Sequence, residues 1–374
     1  MASTINASNT GFGGIVQTGD SSGTLALQAA GTTVATVSST GLAVTGSVTT
    51  NGVIGSPYTM KNRIINGGMQ VWQRGTSFSN PANITYTADR WFSYFGTTNR
   101  TVSQQAGFSG FQYCTRLQRT NGVTDTSASG IGQVIEANNL YALQGQTVTL
   151  SFYARAGSNF SSSGSNLAVL VNSGTTADQG ASTWYSPGWA GATTPYNSSV
   201  TITTTATQYS VTFTVPANCL ELFIGFQYSA TGTAGANDYF EITGVQLEVG
   251  SSATSFEWRP YGMELSLCQR YYWRTNASAV YTPFGNGWNV STTAGQAIVK
   301  HPVTMRTGPT VIDSSTLGSV VLGSSNTAIT SVAIGNTGTD MVTISYSGTG
   351  MTTGFTTICA NASTSAYLGF GAEL

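Results

Sequence analysis

From Lys61 to about Pro260 the chain alternates apolar and polar residues with a period of two, and that period constrains it to β-strands more tightly than any other feature. Such segments fall at 64–72, 91–94, 110–117, 147–154, 166–171, 200–202, 209–215, 221–228 and 239–249, with glycine, asparagine and proline between them. About nine or ten strands in about 200 residues predict an all-β, two-sheet sandwich of the jelly-roll type. One helical turn is expected at EANNLY, residues 136–141.

Charge narrows the choice further. Only 7% of the residues are charged, whereas glycine occupies 45 positions, so salt-bridged helices are a poor basis for this fold. Aromatic residues at 11% and hydrophobic residues at 40% are enough for a core and argue against general disorder. A net charge of −1, with Lys61 and Lys300 as the lysines, leaves no basic stripe for a phosphate backbone, so nucleic acid is not an expected partner. No apolar run is long enough for a membrane span, and residues 1–10 lack the basic and apolar regions of a secretory signal. The chain is therefore expected to stay inside the cell that makes it or to leave by lysis, without membrane insertion. Cys114, Cys219, Cys268 and Cys359 are scattered, and the expected state of Cys114 and Cys268 is a buried free thiol.

The length suggests two or three domains. Residues 1–60 hold one charge, Asp20, and the apolar pairs Leu25/Leu27, Val34/Val37 and Leu42/Val44 recur with glycine near each break. Strands this short cannot bury a core alone, so the segment is either a flexible Gly/Ser/Thr leader or gains its core from copies of itself; the regular apolar spacing favours the second, an intertwined β-stalk shared between copies. Residues 61–260 form the sandwich. Residues 261–274 are expected to be a short hinge helix with Pro260 at its start and Leu265, Cys268 and Tyr272 on its apolar face. Residues 275–374 read as a small β-domain, with strands near 296–305, 310–313, 328–334, 341–346, 356–360 and 366–370.

Little in this chain points to catalysis. His301 precedes Pro302 in a strand-like run with no nucleophile elbow nearby, and the acids sit on turns and strand ends. The expectation is a non-enzyme. Asp89, Asp238 and Glu241 are the candidate ligands for a structural calcium ion. The stretch GASTWYSPGWAGATTPYN, residues 180–197, sets Trp184, Tyr185, Trp189 and Tyr196 among small residues and prolines without strand periodicity. Loop aromatics of this kind suit stacking on sugar rings; the alternative is that they plug the sandwich or an interface. Trp72, Trp91 and Trp258 are expected in the core.

Several motifs carry a resemblance. QLE.G, FE.RP and CQRYY within residues 246–272, INGGMQVWQRGTSF (65–78), YTADRW (86–91), TVTLSFYARAG (147–157), HPVTMRTGPTV (301–311) and the final GAEL (371–374) together resemble tail-fibre and minor structural proteins of tailed bacteriophages. The resemblance covers roughly residues 61–374 and implies a carbohydrate-binding-module-like sandwich. It further implies a trimeric virion fibre, with an N-terminus docked on other phage tail or capsid proteins and a sandwich facing a host surface polysaccharide. A purely structural capsid fibre or decoration protein is the alternative, and a glycan-depolymerising enzyme a third.

Overall fold

Most of the alternating segments pair into two antiparallel six-stranded sheets laid face to face. The computed structural model describes residues 24–29, 32–38, 41–44, 60–95, 99–315, 317–321, 326–361 and 363–374. Two compact units result, Met1–Thr59 and Met60–Leu374.

In the first unit β1 (Leu25–Ala29), β2 (Thr32–Ser38) and β3 (Gly41–Val44) form an antiparallel meander. Leu25 pairs with Val37 and Leu27 with Ala35, and these pair in turn with Leu42 and Val44, so the register places all six positions on one face. Leu25, Leu27, Val37 and Val44 are exposed there. Val34, expected beside Val37, falls instead at a register slip. The remainder of the predicted stalk, residues 1–23 and 45–59 with Asp20, lies outside the described residues.

The sandwich of the second unit is built from β4 (Ser77–Ser79), β5 (Thr85–Tyr86), β6 (Phe92–Phe95), β7 (Arg100–Ala106), β8 (Tyr113–Arg119), β9 (Ser129–Ile135), β10 (Thr147–Ala156), β11 (Asn166–Gly174), β12 (Thr193–Thr201), β13 (Thr207–Thr214), β14 (Glu221–Tyr228) and β15 (Tyr239–Val249). Sheet I has the order β13-β10-β15-β8-β7-β4 and sheet II the order β12-β11-β14-β9-β6-β5. Leu150, Phe152, Phe240 and Ile242 of sheet I meet Ile131, Val169, Ile224 and Phe226 of sheet II in the core. Along β15 the inward parity changes from Phe240 and Ile242 to Val245 and Leu247. Gly244, at φ +60°, sits in the bulge that makes the change.

Residues 64–72 do not form the expected strand. The side chain of Asn66 accepts from the N–H groups of Gln70 (2.8 Å) and Val71 (3.0 Å) and donates to the carbonyls of Val71 and Asp89, replacing a ladder with a side-chain-organised loop. Ile64, Met69 and Val71 are still buried, which explains the apolar pattern.

Short helices cover sheet II. The turn expected at EANNLY is α1 (Ala137–Leu140); α2 (Ala181–Tyr185) and α3 (Tyr261–Gln269) follow. Pro260 is the N-cap of α3, and Tyr272 lies beyond it in a strand, so the expected face shrinks to buried Cys268 with Leu265 and Leu267 half-buried. They pack in one cluster with Phe92, Tyr94 and Phe223 on the outside of sheet II.

The chain continues through β16 (Tyr272–Asn276), β17 (Pro283–Asn289), β18 (Ala294–Lys300), β19 (Val311–Ser314), β20 (Leu317–Val321), β21 (Asn326–Thr337), β22 (Met341–Gly348), β23 (Thr356–Asn361) and β24 (Tyr367–Gly371). A closed barrel, β17-β18-β22-β21-β20-β23, stands beside a three-stranded sheet, β16-β24-β19. Phe284, Val299, Ile344, Tyr346 and Cys359 share their core with Trp273 and Phe370 of the small sheet. His301 is buried in this core, where its Nδ1 accepts from Trp273 Nε1 at 2.9 Å and burial lowers its pKa. All four cysteines are free and buried.

Candidate functional site

The aromatic segment does not stand out as a sugar platform. Trp184, on α2, lies flat on Phe223 with centroids 3.8 Å apart, edge-on to Tyr94 at 5.2 Å, and donates to Asn172 Oδ1 at 3.0 Å. Trp189 is buried and donates to the Gly180 carbonyl. Tyr196 belongs to β12 and packs, half-buried, against the sandwich core. Of the four rings Tyr185 alone is largely exposed, at 46%. Phe92, Tyr94 and Phe223 project outward from sheet II, and Trp184 and Trp189 pack on them, so these two rings follow the packing alternative, and the stretch 180–197 holds α2 and the start of β12 where a loop is expected. Trp72 and Trp91 pack in the core as expected, but Trp258 is 54% exposed, stacked on Phe111 at 4.8 Å.

The acids proposed for calcium are taken up by arginines. Asp238 pairs with Arg119 at 2.8 Å, both fully buried, and also accepts from the Ser161 N–H and hydroxyl. Glu241, three residues on and therefore on the opposite face of β15, accepts from Arg116 and Arg155. Asp89 accepts from the Gln73 amide at 2.6 Å and lies 3.6 Å from Arg74, while its neighbour Arg90 pairs with Glu373. Burial outweighs Arg74 and pushes Asp89 up to about 6. Among the described residues no group of three or more His, Cys, Asp or Glu is placed to share an ion.

A cleft does form where the sandwich meets β16-β24-β19, with a volume of about 520 Å³. Its back wall is a guanidinium stack. Arg74 lies 3.5 Å over the Tyr272 ring, 5.4 Å from the Tyr86 ring, and 3.1 Å from Glu373. Tyr272 donates to Asp313 at 2.8 Å, and Arg274 pairs with the same carboxylate while stacking on Tyr367. Gln73 ties the two sides together by donating to the carbonyl of Tyr272 at 2.8 Å. Phe78, Ile84 and Val311 give apolar walls, and Thr85, Ser182 and Thr310 add hydroxyls. Among the lining side chains, Arg74 and Arg274 balance Asp313 and Glu373. Such a lining suits an uncharged polyhydroxylated ligand: carboxylates and hydroxyls accept and donate, while apolar walls take carbon faces.

Widely separated motifs meet here. Gln73, Arg74 and Phe78 come from INGGMQVWQRGTSF, Tyr86 from YTADRW, Tyr272 from CQRYY, Thr310 and Val311 from HPVTMRTGPTV, and Glu373 and Leu374 from GAEL. The final segment is clamped: Tyr86 donates to the Leu374 carbonyl at 2.6 Å, and Arg306 donates to the carbonyls of Ala372 and Glu373. Sequence reasoning noted every one of these motifs but missed the cleft, because only the fold brings them together.

No family model matches the sequence, and no curated protein matches it. Among solved structures the chain is similar to the enzymatically active domain of tailspike protein 4 of bacteriophage CBA120, at 18% identity and a TM-score of 0.33, covering 51% of this chain and 22% of that one. It is also similar to a CBM4 structure, at 19% identity and TM-score 0.31, covering 50% and 98%. A third similarity is to TmCBM61 in complex with β-1,4-galactotriose, at 12% identity and TM-score 0.30, covering 50% and 99%. The chain thus spans about a fifth of the tailspike chain. No helix among the described residues is long and apolar enough to cross a membrane.

Proposed function

We propose that the chain is a fibre component of a tailed-phage particle that holds a host surface glycan in the cleft without cleaving it. The observation that carries the reading is the convergence of the fibre-like motifs on one cleft, lined by Tyr86, Phe78, Asp313 and hydroxyls, whose charged side chains balance. An uncharged pyranose presents apolar C–H faces and hydroxyl pairs, which this lining matches. The exposed apolar face of β1–β3 supports a homotrimer, since copies of that face cover one another without charge to oppose them. Tethering then multiplies weak sites. The test is binding of labelled full-length protein to host cells beside a Thr310→Trp variant that fills the cleft. Loss of binding is expected, with no release of reducing ends from host polysaccharide; unchanged binding by the variant removes the cleft from the function.

A second reading is favoured by the clamp on the final segment: the same residues tie the end of the small sheet to the sandwich, which suits a capsid fibre or decoration protein with no receptor role. Antibody labelling of intact particles separates the two, since a tail-tip position supports the first and a capsid position the second.

A further inference from the structure

The outer face of sheet I carries a second recess, of about 310 Å³, that the seam motifs leave unexplained. It opens where β10 ends and β15 begins, with Arg155 and Ser158 on one side, Asn237 and Tyr239 on the other, and Thr204 at the mouth. Its size is at the low end of ligand sites, roughly 300–1,000 Å³.

The charge here is unbalanced. Glu241 is fully buried and is shared by two guanidinium groups, accepting from Arg116 Nε at 2.8 Å and Nη2 at 2.6 Å and from Arg155 Nε. One carboxylate against two arginines leaves the cluster net cationic. Arg155 uses its Nε for Glu241, and among the described residues its two terminal amino groups have no protein acceptor. Both guanidinium planes are held flat by rings, Arg116 over Tyr239 at 3.8 Å and Arg155 over Phe108 at 4.5 Å. Across the recess Asn237 donates its amide N–H to Ser158 Oγ at 3.2 Å, and the Thr204 side chain is exposed.

We infer that this recess takes the carboxylate of a uronic-acid unit in an acidic saccharide. A guanidinium with its terminal donors free and its plane fixed engages a carboxylate through parallel hydrogen bonds. The Asn237 side-chain amide and the Ser158 and Thr204 hydroxyls line the same recess and can pair with ring hydroxyls of that unit. The saccharide half of the inference rests on the glycan-binding reading; the carboxylate half rests on the arginine cluster alone.

The test titrates the full chain, at low ionic strength, with an oligogalacturonate, the neutral oligogalactoside of equal length, and acetate. The oligogalacturonate is expected to bind about tenfold or more tighter than either other ligand and to weaken as salt is added. Arg155→Gln, at a side chain about one-third exposed, is expected to reduce that affinity about fivefold or more, and Thr204→Trp to block it by filling the mouth. Equal affinity for the neutral oligosaccharide, or an Arg155→Gln variant that binds as the parent does, overturns the inference. Acetate binding as tightly as the oligogalacturonate overturns its saccharide half. Thr310→Trp in the seam cleft separates the two readings: it leaves oligogalacturonate binding intact if the recess is right, whatever it does to host-cell binding.

Discussion

The two outer faces of one sandwich have opposite fates. On sheet II the outward residues Phe92, Tyr94, Val134 and Phe223 lie beneath Trp184, Trp189, α3 and Leu374, and β9 is buried along its whole length. On sheet I the outward residues Arg116, Arg155 and Glu241 form an ion-pair cluster that reaches solvent through its arginines. Similar strand geometry therefore carries a second hydrophobic core on one side and, around Arg155, a partly exposed ion-pair cluster on the other, while Gln246 and Glu248 farther along β15 are buried beneath Lys61 and Thr254.

The largest effect should come from emptying the covered face. The Phe223 ring lies across Gly132 and Gly225, where an added Cβ would run into it, and stacks under Trp184. Phe223→Ala is expected to cost about 3–5 kcal/mol in chemical denaturation. A loss under about 1 kcal/mol would mean that the cover is not a core at all. Trp184→Ala removes the half-buried lid from the same stack and should cost less, about 1–3 kcal/mol, with host-cell binding unchanged after correction for unfolded protein. Binding lost at full stability would restore this ring as a ligand platform.

A pH experiment sharpens the contrast. Glu221 begins β14 on the sheet II side, fully buried and without an ion pair among the described residues; burial raises its carboxyl from 4.5 to about 8, opposed in part by the backbone N–H groups of Asp178 and Gln179. Nearby Asp178 and Glu136 add to the rise, although each has its own arginine, Arg306 and Arg270. Between about pH 4.5 and 8 the unfolded chain releases this proton while the folded chain keeps it, so this group's contribution to stability falls as pH rises across that window and levels off above it. Glu221→Gln should flatten that part of the stability profile. An unchanged slope would show that Glu221 titrates normally.

The same contrast explains what the sequence reveals. A strand with one face inward and one outward, such as β13, shows the period of two and is readable; β10, buried on both faces, keeps the period because small polar Thr149 and Ser151 alternate with Leu150 and Phe152. β9, SGIGQVI, is buried on both sides and uses Gly130 and Gly132 to admit Tyr94 and Phe223, so it carries no alternation and was missed. β7, RTVSQQA, was missed because an arginine and a run of polar residues mask its inward Val102. The first part of the aromatic stretch reads as a loop because the ring that Trp184 covers, Phe223, lies more than 30 residues away in sequence. The acids at 89, 238 and 241 read as metal ligands because sequence spacing hides which arginine each one meets.

The smallest effect belongs to the open face. Arg155 is about one-third exposed and its partner Glu241 keeps a second arginine, so Arg155→Gln leaves no uncompensated buried carboxylate. Its cost to stability should stay below about 1 kcal/mol, far under that of Phe223→Ala, because the Arg155 end of the pair is partly exposed and Arg116 stays on Glu241. The same substitution is the one expected to weaken oligogalacturonate binding. A small stability change with a large binding change would mark sheet I as a surface kept open for a ligand. A stability loss matching Phe223→Ala would make the cluster a structural brace, and the two faces would then differ in chemistry but not in role.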